Sequence, residues 1–178
     1  MKKGLVIAVI CLLIALIVVL TACNDNTVSE ECVRIHIRAN SNSIEDQAVK
    51  LKVRDAITLY LSDKLEGLIN KEQALSALSD SLCEIKKIAA DTLSQNGFDY
   101  GVSAKISNEK FPEREYDGFV FPGGYYDALI IELGEGSGDN WWCVAFPPLC
   151  FVPDGGDKIV YRSWVYEKLV EIFEKCKK

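Results

Sequence analysis

The side chains able to do chemistry are few and scattered along the chain. His36 is the only histidine in 178 residues, and it lies between Arg34 and Arg38. Those two charges disfavour its protonated form. Cys143 and Cys150 are the candidates for a thiolate nucleophile that a histidine would activate. No spacing around them matches a catalytic motif, so no catalytic residue is assigned and His36 reads as a plain surface residue. The two cysteines are not spaced as Cys-x-x-Cys, and one histidine is too few for a zinc site. No metal, no other cofactor and no small-molecule substrate are expected. Cys143 and Cys150 flank two prolines and can meet in a disulfide if those prolines fold the chain back. With Cys11 and Cys23 set aside, five cysteines remain (Cys32, Cys83, Cys143, Cys150, Cys176). The odd number leaves at least one as a thiol or in a bond between molecules.

Cys143 and Cys150 sit in the least ordinary run of the chain, Gly134 to Phe151, GEGSGDNWWCVAFPPLCF. Its glycine-rich loop leads into Trp141 to Phe146, which has the aromatic and β-branched content of a short strand. A phosphate-cradling loop must open a helix, so these glycines read as a connection between strands. Pro147 and Pro148 end the strand, because proline has no N–H for a ladder. Adjacent strand residues point to opposite faces, so Trp141 and Trp142 cannot enter the same core. One is expected beneath a helix and the other near the surface, where tryptophan serves as an interface anchor.

Met1 to Cys23 sets the compartment. Lys2 and Lys3 precede the apolar run Leu5 to Leu20, and the small residues Thr21-Ala22 follow, as in an export signal. Leu20-Thr21-Ala22-Cys23 also has the form of a lipobox, which would make Cys23 a lipidated N-terminus; an uncleaved membrane anchor is the third possibility. Each places the remainder outside the cytoplasm, where cysteines oxidise. The formal net charge is −6, and residues 1–22 carry two lysines and no acid, so the remainder is more acidic still. Such a domain is not built to bind nucleic acid, which demands a basic face.

The elements that must position these residues follow from periodicity. Residues 1–22 are the signal or anchor, 23–32 a flexible tether and 33–178 one domain. From Cys32 to Ala39 the chain alternates, with Val33, Ile35, Ile37 and Ala39 on one face and Arg34, His36 and Arg38 on a solvated one. Ser43 with Asp46 three residues on caps a helix running to Lys64 or Leu65, its core stripe Val49, Val53, Ile57, Tyr60 and Leu61. Asp46, Lys50 and Arg54 step along the other side, with Asp46 and Lys50 paired; solvent or a partner covers that side. Asn70 and Gln73 open a second helix through Leu93, and Gly97 caps its end, giving an αα-hairpin. Extended segments follow: Tyr100–Ile106 alternates, Phe111–Val120 is interrupted early by Pro112, Asp127–Leu133 has the continuous apolar centre of a buried strand, and Trp141–Phe146 comes last. The chain closes with an amphipathic helix bearing Val165, Leu169, Ile172, Phe173 and Cys176. This order predicts an α+β domain: a mainly antiparallel sheet with the αα-hairpin and the C-terminal helix packed on it.

Three runs carry a family resemblance. Arg34 to Gln47 (RIHIRANSNSIEDQ), continuing through Lys50 to Asp55 (KLKVRD), resembles the first signature of stage II sporulation protein R. Asn140 to Phe151 (NWWCVAFPPLCF) resembles the second, and Tyr116 to Leu129, with FVFPGG at Phe119 to Gly124, is similar to the segment between them. The resemblance implies an exported forespore signal of endospore-forming bacteria. Its partner would be a membrane-embedded aspartic protease of the mother cell, activated by binding, which cleaves the pro-sequence from a sigma factor. An activator works only by distinguishing two states of its target. The contact surface is expected at Asn40, Ser41 and Asp46 together with Asn140, Trp141, Trp142, Phe146, Pro147 and Pro148. The alternative role for these residues is to cap a helix and build the core. Rival functions are a secreted cysteine-dependent hydrolase of cell-wall material, working through Cys143 or Cys150, and a purely structural envelope lipoprotein.

Overall fold

In the computed structural model the described residues are 31–116 and 119–147. The N-terminal segment, Cys23, Pro148, Cys150 and the residues expected to form a C-terminal amphipathic helix lie outside them. Among the described residues no helix is long and apolar enough to cross a membrane.

The first strand, β1 (Val33–Arg38), leads into α1 (Ile44–Leu65). Ser43 caps this helix, its side chain accepting from the Asp46 N–H, and Glu45 and Asp46 face the positive end of the helix dipole. Val49, Val53, Ile57, Leu61 and Leu65 recur every three or four residues and are buried. Asn70 caps α2 (Lys71–Asp80), accepting from the Gln73 N–H. The single second helix expected from the apolar stripe is in fact two, because the chain turns at Ser81 before α3 (Leu82–Gln95). The Ser81 hydroxyl donates to the Ala77 carbonyl, the back-bonding by which serine bends a helix. Gly97, at φ +82°, closes α3 as expected.

Strand β2 (Val102–Phe111) is followed by a small hairpin, β3 (Arg114–Tyr116) with β4 (Phe119–Phe121), and then by β5 (Gly124–Leu133) and β6 (Asn140–Phe146). The fold is α+β, but the sheet is mixed. Its order is β2-β5-β1-β6, and the central pair β1–β5 runs parallel, with Ile35 opposite Leu129 and Ile37 opposite Ile131. The outer pairs are antiparallel. Helices α1, α2 and α3 pack on one face, where Val33, Ile35, Ile37, Leu129, Ile131 and Ala145 meet the helical stripes.

The opposite face carries a second core of Phe111, Phe121, Tyr126, Ala128, Ile130 and Val144, roofed in part by the β3–β4 hairpin. This overturns the expected solvated face of β1. Arg34 is 0% exposed and His36 1%. Alternation reports which residues share a face; it does not report whether a second layer covers that face. Here the second core covers the polar face of β1, so neither of its faces meets solvent.

Candidate functional site

The two signature turns are laced together at the end of the sheet where β1 stops. The Ala39 carbonyl accepts from the Gly138 N–H at 2.9 Å, and the Asn40 carbonyl accepts from the Ser137 N–H and hydroxyl. The Asn40 side chain accepts from the Glu135 N–H, and Asn42 from the Asp139 N–H at 2.6 Å. The glycine loop is therefore shaped by a neighbouring turn. Gly134 sits at φ +57°, and a Cβ there would fall 2.1 Å from Asn40 Oδ1; one on Gly138 would fall 2.1 Å from the Ser41 carbonyl oxygen.

Beneath this junction Asp46 is 5% exposed and takes donors from three directions. Asn40 Nδ2 and Ser41 Oγ donate to Oδ2 at 2.9 and 2.6 Å, and the Tyr100 hydroxyl donates to Oδ1 at 2.8 Å. Burial works to raise the Asp46 pKa, but hydrogen bonds from Ser41, Asn40 and Tyr100 outweigh it and hold the carboxyl below its ordinary value. The Tyr100 hydroxyl is pushed up by burial and by its bond to that carboxylate. Lys50, also buried, donates to Gln47 Oε1 and to the Asp139 carbonyl at 2.9 Å. The expected Asp46–Lys50 pair on a solvated helix face is thus replaced by two separate buried engagements. Loss of hydration lowers the Lys50 pKa, opposed by Asp139 and reinforced by Arg54.

The structure divides the expected contact residues into two groups. Asn40, Ser41, Asp46, Asn140 and Trp141 gather at this end. Phe146 pairs with Val33 at the opposite end of β6, about 20 Å away at ~3.3 Å per residue. Pro147 follows it there, buried, and Pro148 lies outside the described residues. The two tryptophans take opposite faces as expected, but both are half-buried and neither is left on the surface. Trp141 packs against the helical core with Arg54 5.7 Å over its ring, while Trp142 turns to the second face.

On that second face Trp142 stacks on His36 at 3.7 Å and 19° and meets Phe111 edge-on. His36 is therefore no surface residue. Its Nδ1–H donates to Glu109 Oε2 at 2.9 Å, and burial pushes its pKa down to about 4, so the ring is neutral at pH 7. Its Nε2 is buried without a hydrogen-bond partner. Glu109 also pairs with Arg38, whose second nitrogen reaches Glu132 at 2.5 Å. Two residues earlier, Arg34 lies among the rings of Phe111, Tyr116, Phe121 and Tyr126 at 4.7–5.6 Å. It donates to the Cys143 carbonyl and to the Tyr116 hydroxyl, and its Nη1 has no partner. Burial lowers its pKa, with Tyr116, Tyr126 and Cys32 opposing, but an arginine remains charged.

Cys143 is buried and disulfide-bonded, with its partner outside the described residues. Among the described residues no three His, Cys, Asp or Glu side chains are grouped to hold a metal ion. Sequence reasoning missed Arg34, Tyr100 and Glu109 as members of these networks. Each joins a partner more than 50 residues away, a pairing that no local pattern carries.

The family model for stage II sporulation protein R matches residues 29–155. The stage II sporulation protein R of Bacillus subtilis (strain 168) is 38% identical over 125 residues, which are 70% of this chain and 56% of that protein. The chain thus spans little more than half the length of this relative. No solved structure matches it.

Proposed function

Because the chain belongs to the stage II sporulation protein R family and so to sporulation, we propose that it is an exported signal that activates a membrane-embedded aspartic protease by binding it. The protease then removes the pro-sequence of a sigma factor in the mother cell. The family match across residues 29–155 carries this reading. The export-like N-terminus supports it, since Lys2, Lys3, the apolar run and Thr21-Ala22 direct the domain out of the cytoplasm. Export delivers the domain to the space between the two sporulation membranes, held there by a lipid on Cys23, by an uncleaved anchor, or released.

The state of the reactive groups favours an activator over the cysteine-dependent hydrolase. Cys143, one of its two candidate nucleophiles, is in a disulfide and so offers no thiolate, while Cys150 lies outside the described residues. His36 is neutral but roofed by Trp142, with its lone pair at Nε2 buried. A base must reach a substrate proton, and this one faces protein.

Co-expression in a non-sporulating host tests the proposal. The exported chain, the matching protease and the pro-sigma factor together should yield the shortened sigma factor on a gel. Omitting the chain, or confining it to the cytoplasm by deleting residues 1–22, should leave the precursor intact. Full-length precursor in the presence of exported, folded chain would refute activation.

A further inference from the structure

We propose that Arg54 and Trp141 form the anchor by which an acidic segment of the protein partner docks on this domain. The inference rests on the activator reading above and adds the place and the chemistry of contact. Trp141 lies near the start of β6, half-buried against the helical core, with Arg54 of α1 5.7 Å over its ring. Tryptophan and arginine are the side chains most enriched at the energetic centres of interfaces. A guanidinium held over an aromatic ring is already ordered, so binding it costs less conformational entropy.

The charge pattern selects the occupant. The chain carries −6 overall, yet two cations, Lys50 and Arg54, stand one helical turn apart on α1, with Arg54 over Trp141. Lys50 is consumed internally by Gln47 and the Asp139 carbonyl. Arg54 is left as the outward cation, its side chain 30% exposed. Its present partner is the next residue, Asp55, at 2.6–2.7 Å and 64% exposed. An exposed pair of this kind is weak, so a carboxylate from a partner can displace it. Leu51, 41% exposed and one turn back on α1, extends the patch with aliphatic surface. An acidic residue set next to an apolar one therefore matches all three side chains. Arg54 was legible in the sequence only as one charge in a helical row; the tryptophan beneath it gives it a role.

The test uses the full exported chain in the co-expression system. Arg54→Glu should reduce the shortened sigma factor at least tenfold, with Arg54→Ala intermediate, as expected for loss of an interface anchor. Both variants should melt within about 4 °C of the parent, because the pair they remove is an exposed one. Selection for restored cleavage by Arg54→Glu should return acid-to-lysine changes in the extracytoplasmic segments of the protease. Parent-like cleavage by Arg54→Glu overturns the inference while leaving the activator reading intact. So does a loss of cleavage explained by a large fall in melting temperature. A change from dimer to monomer in sedimentation would identify a second copy as the occupant and also overturn it. If the parent chain itself gives no cleavage, both readings fall together.

Discussion

Asp46 and Arg34 are both buried ionised side chains, one from each end of the first signature, and the fold treats them in opposite ways. Asp46 is surrounded by donors: Asn40, Ser41 and Tyr100 reach its two oxygens, and its own N–H is used by Ser43. Arg34 faces four aromatic rings, one carbonyl and one hydroxyl, and keeps a nitrogen with no partner. A satisfied buried charge locks its neighbours into one arrangement, whereas a half-satisfied one costs stability. The end of the sheet around Asp46 therefore specifies the fold. The aromatic face around Arg34 only tolerates its charge.

The sharpest way to break this contrast is to pry the two turns apart. Gly138→Ala places a Cβ against the Ser41 carbonyl, which is backbone and cannot rotate away. It should cost about 3 kcal/mol or more in urea denaturation. Parent-like stability would mean that the junction is slack and that Asp46 specifies nothing. Asp46→Ala should cost roughly 3 kcal/mol, since it leaves several buried donors unmet. A loss below about 1 kcal/mol would put Asp46 in the same class as Arg34.

The third measurement is a pH profile. His36 in the folded protein has its pKa pushed down to about 4, so between roughly pH 6.5 and pH 4 the unfolded chain binds more protons. Stability therefore falls as pH is lowered through that window, by about 2 kcal/mol between pH 7 and pH 5. His36→Gln should flatten this slope; an unchanged slope would assign it to other groups. Asp46 acts lower. Its carboxyl is held below the ordinary value, so its contribution is complete above about pH 3.9 and disappears as pH falls through the folded-state value. The smallest effect is expected at Arg34→Met, which trades a half-satisfied charge for an apolar chain of similar length. Its stability should stay within about 1.5 kcal/mol of the parent or rise. A loss above about 3 kcal/mol would show that the aromatic cage needs the cation.

Much of this was legible along the chain. The Ser43 and Asn70 caps, the stripe from Val49 to Leu61, the turn at Gly97 and the strand ending before Pro147 all rest on interactions spanning a few residues. Composition also separated Trp141 from Trp142, because neighbours on a strand must point apart. The candidate site was only half legible. Asn40, Asp46 and Trp141 were picked out and do converge, but Phe146 was grouped with them and lies at the other end of its strand.

By itself, then, the sequence determined where β1, α1 and β6 begin and end and which of their residues share a face, since backbone propensity, caps and side-chain period act locally. It misplaced the bounds of β2, β5 and the second helix and read the end of β2 and the β3–β4 hairpin as one segment, Phe111–Val120. Only the tertiary structure decided that β1 is an interior strand parallel to β5, that His36 and Arg34 are covered, and that the glycine loop closes over Asn40. Strand order and layering join residues dozens of positions apart, and a period of two is the same whether the polar face meets water or a second layer of aromatic rings.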